Sequence, residues 1–425
     1  MAEECGDRSP QRGMATSRTR TRAGTRDMAV HTSDDHDDAP AKAAFIYDPK
    51  VRGVFYQIVL VAAIAWLGWE FITNAARNLE QQNISSGFGF LKNTAGFGII
   101  QSLVDYSEES SYGRALYVGF LNTILIAVIG IALATVLGFI IGIARLSTNW
   151  IISRLAYVYI EIIRNIPLLL QIFFWYFAVL RAVPNPRNSI ELIPGSVFLN
   201  NRGIFLPRPV FEEGSSLILF GLIAGIAAAL GISNWARKRQ METGQPFPSF
   251  RVGLGLVLGL PLLGYLLGGM PVSMEFAELR GFNFTGGMKM TPEFMALLLA
   301  LSIYTAAFIA EIVRAGILAV SHGQTEASYA LGLRPGPTLR LVVVPQAMRV
   351  IIPPLTSQYL NLTKNSSLAV AIAYPDLVSV GGTVLNQTGQ AIEVIGIWMV
   401  VYLGLSLLTS AFMNWYNNRM ALVER

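Results

Sequence analysis

The residues best suited to chemistry lie in two polar stretches of an otherwise apolar chain. One runs from Ala319 to Arg349 and holds Glu326, Ala327, Ser328, Gly332 and Pro345. The other surrounds Lys364, with Asn361, Thr363, Asn365, Ser366 and Ser367 beside it and no acid flanking it. An ammonium deep in an apolar segment is costly unless it meets water or an anion, so Lys364 reads as a cavity-lining residue suited to a substrate carboxylate. A lysine paired with Glu161, Glu311 or a companion subunit is the competing reading. Asn122 and Thr123, polar residues inside another apolar segment, join Lys364, Asn365 and Ser366 as candidates for a substrate pathway. Glu161 with Arg164 and Glu311 with Arg314 stand at i,i+3, which puts opposite charges on one helix face. Charges inside a membrane are usually matched, so these pairs read as structural or gating ion pairs.

Other chemistry is excluded. Cys5 is the single cysteine, so no intramolecular disulfide or thiolate cluster can form, and the three histidines, His31, His36 and His322, offer no metal-ligand spacing. A phosphate-binding P-loop ends in Gly-Lys-Ser/Thr, and no lysine among Lys42, Lys50, Lys92, Lys238, Lys289 and Lys364 follows a glycine. If this chain takes part in ATP-driven work, the nucleotide and its magnesium belong on a partner.

The elements that must position these residues follow from composition. Of 425 residues 53% are hydrophobic and 14% charged, against about 25% charged in soluble domains. The deficit and the long apolar runs place most of the chain in a bilayer. The formal charge of +5 is spread over loop ends and a polar arm, which argues against nucleic acid. Segments of the ~20-residue length that crosses a bilayer number about eight. They lie near 54–72, 116–144, 156–180, 215–235, 252–270, 294–320, 351–373 and 392–415. Arg145 and Arg154, then Arg237, Lys238, Arg239 and Arg251, then Arg334, Arg340 and Arg349, and finally Arg419 and Arg425 fall on one side. Acids match or outnumber bases on the other, so both termini are expected in the cytoplasm. Residues 1–53 carry almost no large apolar side chain before Phe45 and read as a disordered cytoplasmic arm, with Met14 or Met28 as alternative initiators. Gly130, Ala134, Gly138 and Gly142, and Gly221 with Gly225, recur every fourth position, a pattern expected of close helix packing.

Within the loop 319–349, Gln324 to Leu331 predicts a short helix with an acid in its first turn, stopped by Gly332 and a break at Arg334-Pro335-Gly336-Pro337. A second helical piece follows from Thr338 toward Pro345. The order Glu326-Ala327-Ser328, then Gly332, then Val342, Val344 and Pro345 resembles the signature of permease subunits of ATP-binding-cassette importers. That motif reads Glu-Ala-Ala, Gly, Ile-x-Leu-Pro; Ser328 and the two valines are mild departures. Tyr159 to Gln171, Tyr304 to Gly316, and Leu362 to Leu368 resemble the polar amino acid branch, similar to histidine, arginine and glutamine permeases. The stretch Phe198 to Pro207 resembles permeases of general L-amino acid and glutamate/glutamine/aspartate/asparagine importers.

The resemblance implies an all-α integral membrane protein in which five of the eight helices form a type I (MetI-like) permease core. Along the chain this gives the arm 1–53, an extra N-terminal transmembrane helix 54–72 and a periplasmic loop 73–115. The first part of the core, 116–183, precedes a periplasmic insertion 184–214 and an inserted hairpin 215–270. The second part of the core, 271–415, includes the coupling loop, and 416–425 is a cytoplasmic tail. The family further implies a bacterial inner-membrane location, a separate ATPase dimer gripping Glu326, Ala327, Ser328, Gly332 and Pro345, a companion permease, and a periplasmic amino acid-binding protein. ATP and magnesium would sit on the ATPase, with no cofactor bound by this chain. The implied cargo is polar or acidic amino acids and their amides. An ion-coupled secondary transporter is the alternative, although the halves show no clear inverted repeat. A membrane receptor or scaffold would not need the coupling loop.

Overall fold

The computed structural model describes residues 49–81 and 87–420; the arm expected over 1–53 lies outside them except for 49–53, which are already helical. Helix α1, Pro49–Gln81, is longer than the expected 54–72, and its large apolar side chains from Val54 to Ile72 are exposed, as lipid-facing residues would be. It belongs largely to a unit of its own, residues 1–75.

The second unit takes in the end of α1 from Ala76, and its next described elements are a 3-10 turn, Phe88–Lys92, and then α2, Tyr112–Arg145, α3, Trp150–Asn165, and α4, Leu168–Phe173. A π-helical stretch, Phe174–Leu180, continues α4. The segment expected as one span over 156–180 is thus broken, with α3 and the α4 segment meeting at 106°. Pro167 is the cause: it lacks an N–H for the carbonyl of Ile163 and pushes Ile166 out of the helical region. Gln171 repairs the break, its Nε2 donating to Ile163 O at 2.9 Å and Ile166 O at 3.0 Å.

The insertion that follows contains strands that the sequence reading does not anticipate. They are β1 Ile190–Ile193, β2 Val197–Asn200, β3 Gly203–Leu206 and β4 Arg208–Phe211, then, beyond the helical hairpin α5 Ser216–Thr243 and α6 Ser249–Leu267, β5 Val272–Glu275, β6 Glu278–Arg280, β7 Asn283–Thr285 and β8 Met288–Met290. The strands make a sheet of order β1-β2-β3-β8 and two separate pairs, β4 with β5 and β6 with β7, all antiparallel. Phe198, Phe205 and Phe284 form its small core, with ring centroids 4.7 and 5.0 Å apart. Gly203 takes a left-handed φ of 124° beside Met290 O, where a Cβ would stand only 2.1 Å away.

Helix α7, Pro292–Leu318, is the axis of the core and is capped by Thr291, whose Oγ1 accepts the Phe294 N–H. It lies along α2, where Gly138 leaves room for Ile309 and Gly142 for Ala310 and Val313. Gly221, Gly225 and Gly264 do the same inside the α5–α6 hairpin, facing backbone of the opposite helix. The small-residue spacing therefore reports helix packing. Helices α8, His322–Ala330, and α9, Pro335–Thr338, precede a π-helical Leu339–Val343 and then α10, Val344–Asn365, which runs unbroken through Pro353 and Pro354. Of the prolines that could interrupt this span, Pro353 and Pro354 leave the helix continuous, and the chain bends beside Pro375 instead, after a 3-10 stretch, Ser366–Ile372, at Ala373 with φ 55°. The connection expected over 374–390 contains a helix, α11, Leu377–Thr388, before α12, Ala391–Met420. Among the described residues, seven helices are long and apolar enough to cross a membrane, and the bent α3–α4 pair would make an eighth.

Candidate functional site

Helix α8 is built to project. Its C-terminus closes in a Schellman arrangement, with Gly332 N bonded to Tyr329 O at 2.9 Å and Leu333 N to Ser328 O at 3.1 Å, which requires the left-handed φ of 76° at Gly332. Among the described residues nothing lies within 4 Å of a Cβ built there, so Gly332 is needed for the turn and leaves the surface open. Glu326 and Ala327 are exposed, with Glu326 Oε1 3.0 Å from His322 Nδ1. Glu326 sits in the second turn, because the helix begins at His322 and not at Gln324. Ser328 is buried on the opposite face, where its Oγ donates to Gln324 O at 2.7 Å, and a Gln346 to Gln324 hydrogen bond ties α8 to the start of α10. Pro345 stands in the first turn of α10. It offers no N–H to the carbonyl four residues back, and the preceding turn widens to the π form. The result is a rigid, exposed helix with Tyr329 and Leu331 standing 49% and 82% exposed at its end.

Along α10, Val350, Pro353, Pro354, Ser357, Asn361 and Lys364 are all exposed, and their spacing of three and four puts them on one face. Hydrocarbon is a poor neighbour for the Ser357, Asn361 and Lys364 portion, so that stripe belongs against water or another chain. Lys364 forms no ion pair among the described residues. Asn365 is half-buried, and Ser366 is fully buried, its Oγ donating to Thr363 O at 2.7 Å.

Asn122 and Thr123 are placed elsewhere. Both are sealed inside the bundle: Asn122 Nδ2 donates to Gln101 O and Pro375 O, each at 2.9 Å, while Thr123 Oγ1 donates to Gly119 O and accepts from Leu377 N. In this structure they fasten the segment after α10 to α2, away from the exposed stripe. Glu311 and Arg314 form the expected pair, bidentate through Nε at 3.1 and 3.0 Å and Nη2 at 2.5 Å. Glu161 and Arg164 do not pair among the described residues; the Arg164 guanidinium stacks 5.1 Å over Phe308 instead. Among the described residues no group of three His, Cys, Asp or Glu is placed to hold a metal ion.

Three further contributors are not singled out by the sequence reading above. Gln171 mends the α3–α4 break. Gln101 links Tyr374 and Thr291 through its amide, at 3.5 and 3.3 Å. Asp376 caps α11. The last could have been found, since Asp376 and Gly389 frame the apolar run as N-cap and C-terminal glycine.

Residues 130–422 match the family model described as a binding-protein-dependent transport system inner membrane component. The chain is 55% identical, over 93% of its length and 99% of the relative's, to a protein of Rhizobium johnstonii named general L-amino acid transport system permease protein AapQ. It is 52% identical, over 89% and 96%, to the putative amino-acid ABC transporter permease protein YhdX of Escherichia coli. It is 44% identical, over 91% and 99%, to the glutamate/glutamine/aspartate/asparagine transport system permease protein BztB of Rhodobacter capsulatus. With its membrane-spanning helices and the exposed helix between α7 and α10, the chain belongs to the family of binding-protein-dependent transport system inner membrane components.

Proposed function

We propose that this chain is the permease subunit of an ATP-driven importer of L-amino acids, acidic ones and their amides included. The substrate class comes from the names of relatives that match along nearly the whole chain. The observation that carries the mechanism is α8, an exposed helix with a closed C-terminus, its Ser328 side buried and its Gln324 bonded to Gln346 of α10. A short rigid helix of this kind can enter a groove on an ATPase dimer and pass its closure into the bundle as a rigid-body displacement. Glu326 offers that partner a charge, Ala327 close approach, and Tyr329 and Leu331 apolar anchorage. Nucleotide and magnesium reside on the ATPase, and this chain binds no cofactor.

The exposed stripe of α10 lines half of the pathway, facing a companion permease of similar core, with Lys364 and Asn365 offering a cation and an amide to the zwitterionic cargo. The Glu311–Arg314 pair stands at the α8 end of α7 and belongs to the inner gate. The basic loops support a cytoplasmic position for that end and for both termini. A periplasmic amino acid-binding protein delivers cargo at the other end.

Purification with the native partners tests this reading. The ATPase should co-isolate with the wild-type chain, and vesicles holding the complex should take up labelled glutamine only with ATP and binding protein. Glu326→Lys combined with Leu331→Asp should cut ATPase recovery and uptake at least tenfold while the chain keeps its unfolding temperature. Uptake by the chain alone, driven by an ion gradient, would overturn the proposal.

A further inference from the structure

Asp376 is fully buried and has no part in the pathway or the coupling surface described so far. It sits in the connection between the last two spans, at the bend that ends the 3-10 stretch following Lys364. Its Oδ1 accepts the Ser379 N–H at 2.8 Å and so caps α11, while Oδ2 stands 3.4 Å from the Tyr402 hydroxyl of α12. The bend is clasped from both sides. Gly119 of α2 lies so close that a Cβ there would be 3.0 Å from Asp376 O, and Trp398 of α12 donates its indole N–H to Leu377 O. The side chains facing this cluster are Asn122 and Thr123 from α2, Ser366 from the 3-10 stretch, Tyr374 from the bend, Ser379 from α11, and Tyr402 with Trp398 from α12. All are neutral. No lysine, arginine or histidine pairs with Asp376 among the described residues.

We propose that Asp376 is a positioning residue of the transport cycle, a clasp whose carboxyl group holds the bend against α2 and α12 and lets it go according to its protonation. This rests on the transport function proposed above. A dry carboxyl group without a cation favours its neutral form, and burial pushes that of Asp376 up to about 7. The docked bend therefore binds the proton more tightly than a hydrated one does. Docking is favoured below about pH 7 and loses that advantage as pH rises, and an opening that admits water returns the group to the ordinary carboxylate range and releases the proton. If release of the clasp limits the cycle, uptake rises with pH through this single group.

The test is ATP-driven glutamine uptake by the complete complex in vesicles between pH 6 and 8. The protonated fraction of a group with its midpoint at 7 falls from about nine tenths to about one tenth over that range. Wild-type uptake should rise several-fold with an inflection near pH 7. Asp376→Asn should flatten the profile, and Tyr402→Phe should move the inflection upward, because a donor to the carboxylate is gone. Asp376→Ser keeps a good N-cap without a titrating group, so its profile should be flat in a folded chain. A wild-type profile with no inflection, an inflection kept in Asp376→Asn or Asp376→Ser, or a midpoint unmoved in Tyr402→Phe overturns the proposal. Absence of uptake by the wild type at every pH would instead strike at the importer reading.

Discussion

Replacing Gln171 by leucine isolates the repair of the α3–α4 break. The two side chains are similar in size, so the change removes two N–H donors and little volume. The carbonyl of Ile163 cannot recover a partner within the helix, because the residue four positions on is Pro167. Ile166 O also depends on Gln171, since Leu170 N is spent on Pro167 O at 3.1 Å. A net loss of about 1 kcal/mol per hydrogen bond gives about 2 kcal/mol, rising toward about 4 kcal/mol if both carbonyls are left dry. Thermal unfolding of the purified chain in detergent, followed by tryptophan fluorescence, should show a midpoint several degrees lower. Gln171→Glu should lose more, because it sets a carboxylate against two carbonyls in a buried position. A leucine variant as stable as the wild type would show that the bend is held by packing alone and refute the role assigned to the amide.

Gly138→Leu should drive α2 from α7, since a Cβ at that position stands 2.5 Å from Ile309 Cγ2. Overpacking of this sort costs about 1–3 kcal/mol, part of which Ile309→Ala should restore in the double variant. Gly259→Ala, at a site with nothing within 4 Å among the described residues, should leave the unfolding midpoint unlowered in the same assay. Lys364→Met should raise the KM for uptake by roughly tenfold, the worth of one lost charged contact of about 1.4 kcal/mol, and leave ATPase recovery unchanged. An unchanged KM would remove Lys364 from the pathway.

Much of the membrane scaffold is legible from spacing, because a glycine or alanine every fourth residue and a ~20-residue apolar run each have one cheap physical meaning. Helix α8 is legible for a similar reason, its Gly332 marking a left-handed turn that other residues resist. What escapes is set by partners remote in sequence. Asn122 looks like a pathway residue until Pro375, 253 positions away, takes its amide, and Glu161 looks paired until Arg164 turns to Phe308. The strands of the insertion are three or four residues long, too short for alternation to register against the turns between them. Helix α11, 12 residues long, falls below the length of a span and reads as a connector despite its caps.

The β4–β5 pair has a consequence for how this chain could change. Phe211 faces Val272 across the ladder, so the polypeptide leaves for the α5–α6 hairpin and returns at neighbouring rungs. Strand partners stand about 5 Å apart, a gap that a tight turn can span. The hairpin is thus a cassette hung from a two-stranded neck. It could be shortened, exchanged or grafted onto another host without altering the path of the flanking chain.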